Sequence, residues 1–259
     1  MSEKDLIPHM PIDSSLQALY DRLDAQSLEP GFLAQRELAL SRALRPYAEY
    51  RQRLPLSPFP EELALALLYL YADFYPEDGQ LSLVEQVRDL IEVHVPEEER
   101  AWLDPLHHSY MDLLTILSID SEGRLTLRSF GDGREFTVAA GEFARGVTVG
   151  QALLTRLIRL PDRTVPAGAA VVLSAASGHA IYDAANAWRR EMEAESGSFD
   201  LGEWQEFTKR YGYILLWQVA QARLGALIGA DDRVAYRATD GRPFLYALAL
   251  YEHHEFRHL

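Results

Sequence analysis

Cysteine is absent from the chain. The lack of thiols excludes a disulfide framework, a thiolate zinc site, an iron–sulfur cluster and a cysteine nucleophile. Lysine is also scarce, since arginine accounts for 23 of the 25 basic residues. We interpret this bias as the codon preference of a GC-rich bacterial genome rather than as a binding surface.

Long apolar segments are missing as well. The two most apolar stretches are Leu63–Ala72, which is too short to cross a bilayer, and Tyr211–Ile228, which is interrupted by Gln218, Gln221 and Arg223. The first residues contain no apolar core typical of a secretory signal. We therefore expect a cytoplasmic protein that does not bind membranes.

Negative charge is abundant. The 259 residues include 39 acidic and 25 basic side chains, which give a net charge of −14 and a pI of about 5.0. Residues 1–105 hold 20 of the acidic and 9 of the basic side chains, whereas residues 106–182 hold 7 of each. An acidic field of this kind repels nucleic-acid backbones and attracts basic partners, so a nucleic-acid partner is disfavoured.

The first third of the sequence has the pattern of a helical region. Spacings typical of capping boxes at Ser14 and Ser82 predict two helix starts. A further helix is predicted from Phe32 to Arg53, and the proline-rich segment Leu54–Pro60 ends it. Pro60 is suited to the first position of a helix that is apolar nearly all round and is therefore expected to be buried.

From His107 onward the apolar residues alternate with a period of two, which predicts β-strands. The Gly-Asp-Gly sequence at 131–133 is a strong hairpin signal. Five short strands at this spacing favour either a small antiparallel barrel or a strongly bent sheet. The predicted strands are Ser109–Ile119, Arg124–Phe130, Glu135–Ala139, Gly150–Leu160 and Ala169–Ala175.

The C-terminal part returns to helix and then to strand. Helices are predicted over Tyr182–Glu195 and from about Glu203 to Ile228, followed by a β-hairpin formed by Arg233–Ala238 and Phe244–Tyr251. We therefore predict an α+β fold with an acidic helical subdomain in residues 1–105. Residues 106–259 are expected to contain the β module, two helices and the closing hairpin.

One stretch of the chain resembles a known module. Tyr110–Leu157 contains GRLTLRSFGDGREFTV followed by VTVGQALLTRL, and TDGRPFLYALALY closes the chain. This order and spacing of residues resembles a small β module of uncharacterised bacterial proteins, some of which also carry the cysteine-rich SEC-C motif. The resemblance implies a fold rather than a function, because the cysteine-rich metal motif is absent here and the module brings no catalytic residue with it.

The C-terminal sequence HEFRH matches the HExxH zinc motif, with His254 and His258 as the paired histidines. In an extended strand these two side chains lie about 13 Å apart, too far to share one zinc ion. We therefore favour a solvated tail over a zinc active site. A divalent metal bound non-catalytically by His253, His254 and His258 is the alternative, and His107 and His108 are candidate additional ligands.

Arginine and aromatic residues share the predicted second strand. Arg124, Arg128 and Phe130 are a candidate binding face, because small barrels use such side chains to bind single-stranded nucleic acid. The alternative is an exposed strand face that pairs with neighbouring carboxylates. Arg156 differs because it alternates with apolar residues, so we expect a structural, buried ion pair with Asp112 or Glu142.

No complete catalytic constellation is present: the chain lacks a GxSxG elbow, a P-loop and a GxGxxG turn after a strand. We accordingly predict no catalytic residues and no cofactor. The leading functional hypothesis is a non-enzymatic cytoplasmic adaptor that binds another protein. The alternatives are a metal-dependent enzyme or sensor that uses the histidine tail, and a single-stranded nucleic-acid binder.

Overall fold

The computed structural model describes residues 10–50, 57–76, 80–89, 95–196 and 203–233. Within these ranges the protein consists of ten α-helices and one antiparallel sheet of five strands, which confirms the predicted α+β fold. The predicted C-terminal hairpin and the histidine tail lie outside the described residues, apart from Arg233, which ends the last helix.

Seven helices precede the sheet. They are α1 (Ser14–Ser27), α2 (Leu33–Ala43), α3 (Arg45–Tyr50), α4 (Pro60–Ala72), α5 (Leu83–Asp89), α6 (Glu97–Arg100) and α7 (Leu103–His108). Pro60 opens α4 as predicted, and most of this helix is buried. The cap of α1 is Asp13 rather than Ser14, because the Asp13 carboxylate accepts the backbone N–H of Ser15 at 2.9 Å.

The sheet is a curled half-barrel with the strand order β3-β2-β1-β4-β5. The predicted bent sheet is thus found in place of a closed barrel. A 3₁₀ helix, Gly141–Gly146, connects β3 to β4. The strands are β1 (Tyr110–Ile119), β2 (Arg124–Ser129), β3 (Glu135–Ala139), β4 (Ala152–Arg159) and β5 (Thr164–Leu173).

Alternation along each strand produces two hydrophobic cores. The concave face of the half-barrel holds Leu114, Leu125 and Leu153, and Met10 packs among them from the segment before α1. The convex face, with Leu113 and Leu154, is covered by helices in a second, larger core. That core extends from α1 to α10, so the predicted helical subdomain shares its hydrophobic core with the sheet.

Three helices follow the sheet: α8 (Ala175–Ser196), α9 (Trp204–Tyr211) and α10 (Tyr213–Arg233). The single long helix predicted from Glu203 is therefore wrong, because it is divided at Gly212. A Cβ atom at Gly212 would lie 2.5 Å from the Thr208 carbonyl oxygen and 3.3 Å from the Cβ of Met111. The division thus lies where the chain passes close to β1. In the part of the chain described above, none of the helices has the length and apolarity needed to span a bilayer.

Candidate functional site

The predicted arginine face is largely neutralised by neighbouring carboxylates. Arg124 binds Asp120 at 2.7 Å, and Arg128 binds Glu135 at 2.7 Å across the β2–β3 pair. Both arginines are exposed, whereas Phe130 is partly buried against the larger core. The ring of Phe130 packs against His179 and Tyr182 under α8, with the His179 ring centroid 4.9 Å away. The three residues therefore do not form one surface.

The histidine tail cannot be placed, since His253, His254 and His258 lie outside the described residues. His107 and His108 end α7, and their rings meet at 4.9 Å. His107 Nε2 faces Glu85 at 3.8 Å, while burial lowers the pKa of His107 and the nearby Lys209 charge lowers it further. Across the described residues, no three carboxylate or imidazole side chains are grouped closely enough to hold a metal ion.

Arg156 is fully buried in β4, and its partner is Asp73 at the end of α4 rather than Asp112 or Glu142. The guanidinium also donates to the carbonyl oxygen of Ser109 at 3.0 Å and to its hydroxyl at 2.9 Å. The sequence pattern identified Arg156 as a residue of an apolar face, but its partner lies in another region of the chain. Sequence spacing gives no signal for such a contact.

Lys209 of α9 completes this buried cluster. Its ammonium donates to Asp73 Oδ1 at 2.7 Å and to the carbonyl oxygens of Ala72 and Ser109 at 3.0 and 3.1 Å, and also contacts the carbonyl oxygen of His107. Burial lowers the pKa of Lys209, although the Asp73 carboxylate opposes this effect. With its donors directed at these oxygens, the ammonium joins α9 to the C-terminal ends of α4 and α7. Lys209 therefore has a structural role, and its amine is not free to act as a nucleophile.

A second buried acid lies on β1. Asp112 is 3% exposed and accepts hydrogen bonds at Oδ1 from the indole N–H of Trp204 and from the backbone N–H of Leu113, each at 2.8 Å. Its Oδ2 atom has no hydrogen-bond partner among the described residues. Burial raises the pKa of Asp112 to about 7. A lone aspartate within the apolar run YMDLLTIL was the available sequence signal for this site.

The exposed charges of the helical region are unbalanced. Across the described residues, most exposed arginines bind a carboxylate, whereas Arg100, Arg159 and Arg190 make no ion pair with another described residue. The paired ones include Arg45, Arg88, Arg124, Arg128, Arg145 and Arg163. By contrast, six exposed carboxylates between residues 10 and 105 make no ion pair with any other described residue: Asp13, Asp21, Glu29, Glu37, Glu97 and Glu98. The excess negative charge of the sequence therefore remains available on the helical surface.

Three of these carboxylates lie on two helices that an ion pair joins. Arg22 of α1 binds Glu99 of α6 at 2.7 Å, and the Trp102 indole N–H donates to Ser15 Oγ at 2.8 Å. Asp21 precedes Arg22 in the chain, and Glu97 and Glu98 precede Glu99. Asp21, Glu97 and Glu98 thus belong to the two helices that the bridge joins, and we call these three residues the acidic surface.

Comparison with family models, with curated proteins and with solved structures gave no match. The resemblance of Tyr110–Leu157 to the β module of bacterial proteins therefore stays a prediction.

Proposed function

We propose that the protein is a non-enzymatic interaction module that binds a basic protein partner through the acidic surface. The observation that carries this proposal is the asymmetry of its exposed charges. Ion pairs neutralise many exposed arginines, whereas Asp21, Glu97 and Glu98 have no cationic partner among the described residues. We also propose that the protein acts in the cytoplasm and that its partner is a protein still to be identified.

The physical basis is electrostatic complementarity. Charges on a surface attract an oppositely charged partner and raise its association rate, although salt screens the effect beyond about 8 Å at physiological ionic strength. The α1–α6 bridge supports the site, because Glu99 is only 7% exposed and its bond to Arg22 fixes the two helices together. A basic segment would then meet carboxylates held on two helices.

The two alternative functions have weaker support. Arg124 and Arg128 already bind carboxylates, so the strand face offers little free positive charge to a nucleic-acid backbone. The candidate metal ligands lie outside the described residues and add no geometric support. Both alternatives therefore stay untested predictions.

A matched pair of charge variants tests the proposed function. The first variant is Asp21→Asn with Glu97→Gln and Glu98→Gln, which removes the acidic surface. The second is Glu135→Gln with Glu142→Gln and Asp162→Asn, which removes three exposed carboxylates that are already ion-paired. Both variants change the net charge by the same amount.

Proteins captured from a native lysate at 0.15 M salt by each full-length variant would be compared by mass spectrometry. We expect wild type and the second variant to capture the same basic proteins, and the first variant to lose them. The purified captured protein should then bind wild type directly, with an affinity that falls as salt increases. If both variants lost the captured proteins equally, net charge alone would be responsible. If wild type captured no protein at all, the adaptor function would be rejected.

A further inference from the structure

The start of α9 is fixed to the sheet by a single tryptophan. Trp204, the first residue of α9, is buried and donates its indole N–H to Asp112 of β1. The indole also lies against the backbone of Gly131, where an added Cβ would be 2.0 Å from the Trp204 Cγ atom. Gln205 contributes a second contact, because its Oε1 accepts from Arg134 at 2.8 Å. The first turn of α9 thus rests on β1 and on the β2–β3 turn.

The acid beneath this tryptophan has no compensating cation. Within the described residues Asp112 forms no ion pair, and its Oδ2 atom makes no hydrogen bond of normal geometry, although the neutral Ser129 hydroxyl lies near the carboxylate. The guanidinium of Arg134, whose charge is felt at Asp112, binds Asp132 at 2.6 Å. A carboxylate that is buried without a counterion is unfavourable, whereas a neutral carboxylic acid can be accommodated.

The groups that face Asp112 come from each element around it. Tyr110 lies on the same face of β1, and its hydroxyl accepts from Arg159 of β4 at 3.0 Å. The β2–β3 turn supplies Asp132, whose negative charge opposes ionisation of Asp112, and Arg134, whose positive charge favours it. The neutral hydroxyl of Ser129 on β2 and the indole of Trp204 on α9 stabilise the ionised form. Together these effects raise the pKa of Asp112 and so favour its protonated form, and burial makes the largest contribution.

We propose that Asp112 and Trp204 form a proton-dependent latch: α9 is held on the sheet while Asp112 is protonated, and its start is released more readily once the carboxylate ionises. The driving force is hydration, because lifting Trp204 gives water access to the carboxylate. The far end of α9 stays attached, since Lys209 remains bound to Asp73 and to the neighbouring carbonyl oxygens. The first turn of α9 therefore unwinds from the sheet while the end of the helix stays in place.

The sign and range of the effect follow from the two states of Asp112. Its pKa is about 7 when α9 is closed and returns towards the ordinary 3.8 when water reaches the carboxylate. Opening therefore becomes about tenfold easier for each pH unit between roughly pH 4 and pH 7, and levels off above that range.

Hydrogen exchange on the full-length protein tests the latch. Protection of the amides in the first half of α9, from Trp204 to Phe207, corrected for the intrinsic exchange rate, should fall at least tenfold between pH 5 and pH 8, while the amides beyond Lys209 stay protected. The Asp112→Asn variant should show the same protection at both pH values, while Asp183→Asn, which removes an exposed carboxylate on α8, should behave as wild type. Protection of wild-type α9 that does not change with pH, or an unaltered pH dependence in Asp112→Asn, would overturn the proposal.

A second measurement tests the latch without a variant, in case Asp112→Asn does not fold. Carbon-detected NMR of the wild-type protein would follow the Asp112 carboxyl and the Trp204 indole N–H in one titration. We expect both signals to change with one midpoint near pH 7. An Asp112 midpoint below pH 5, or a Trp204 signal that does not follow it, would refute the latch.

Discussion

The Arg156 guanidinium and the Asp73 carboxylate form an ion pair in which neither side chain is exposed to solvent. Arg156 belongs to β4 and Asp73 caps the C-terminal end of α4, so this pair joins the sheet to the helical region. The ammonium of Lys209 binds the other carboxylate oxygen at 2.7 Å. One anion therefore serves two buried or largely buried cations, and the three side chains depend on one another.

Replacing Asp73 with Asn should be strongly destabilising. Arg156 and Lys209 would remain in the core without an anion, and breaking a buried pair in this way typically costs about 3–5 kcal/mol. Urea denaturation followed by circular dichroism measures the loss. The control is Glu135→Gln, which breaks an exposed pair with Arg128 and should cost less than about 1 kcal/mol. Similar losses in the two variants would contradict the importance of the buried cluster.

Asp112 should make the folded state less stable as the pH rises. Burial raises its pKa to about 7 in the folded protein, whereas the unfolded chain has the ordinary value of 3.8. The folded state therefore holds more protons between these values, and the stabilisation present below about pH 4 is lost as the pH rises towards 7. Relative to wild type, Asp112→Asn should thus become progressively more stable from pH 4 to pH 7, with no further change above.

Parallel urea denaturation of wild type and Asp112→Asn at pH 5, 6, 7 and 8 measures this difference. A difference in unfolding free energy that is the same at every pH reflects only how well the amide of Asp112→Asn packs in the site. The informative quantity is therefore how this difference changes with pH. A difference in unfolding free energy that does not vary with pH would show that Asp112 titrates normally in the folded state.

The strands could be predicted from the sequence because each depends on local alternation. Leu125 and Leu127 face the core while Arg124 and Arg128 face outward, and Gly133 adopts a positive φ in the turn that follows. The β3 bounds Glu135–Ala139 agree fully with the prediction. The sequence predicted either a barrel or a bent sheet but could not decide between them, since closure depends on packing between strands.

The polar cluster could not be predicted in the same way. Asp73 lies 83 positions from Arg156 and 136 from Lys209, so no spacing rule relates these residues. The division at Gly212 could not be predicted either, because apolar periodicity continues through it and the close approach to Met111 involves a residue far away in the sequence. Local patterns thus revealed which positions are buried but not which residues meet there.

Gly131→Ala should disturb the packing of the Trp204 indole against the backbone at position 131. The added Cβ would lie 2.0–2.2 Å from three atoms of the indole, and this ring is packed on its other side and has little room to move. We expect a cost of about 1–3 kcal/mol, typical of overpacking, in thermal or urea denaturation. Gly31→Ala is the control, since a Cβ at Gly31 meets nothing within 4 Å.

A double-mutant cycle identifies the cause of that cost. In a Trp204→Leu background, the additional penalty of Gly131→Ala should be clearly smaller, because the leucine leaves space for the methyl group. If the penalty is the same in both backgrounds, backbone strain in the turn and not contact with Trp204 would be responsible.

The segment before α1 should contribute to the stability of the half-barrel. Met10 is 2% exposed on the concave face, and the Thr155 hydroxyl lies 3.8 Å from its sulfur atom. Met10→Ala leaves a cavity among Leu114, Leu125 and Leu153, which should cost about 2–5 kcal/mol in urea denaturation. Met10→Leu preserves most of the volume and should cost less than about 1.5 kcal/mol. Because Met10 precedes the first helix, unchanged stability in Met10→Ala would mean that this segment is not part of the core in solution, and the concave face would then have to be covered in another way.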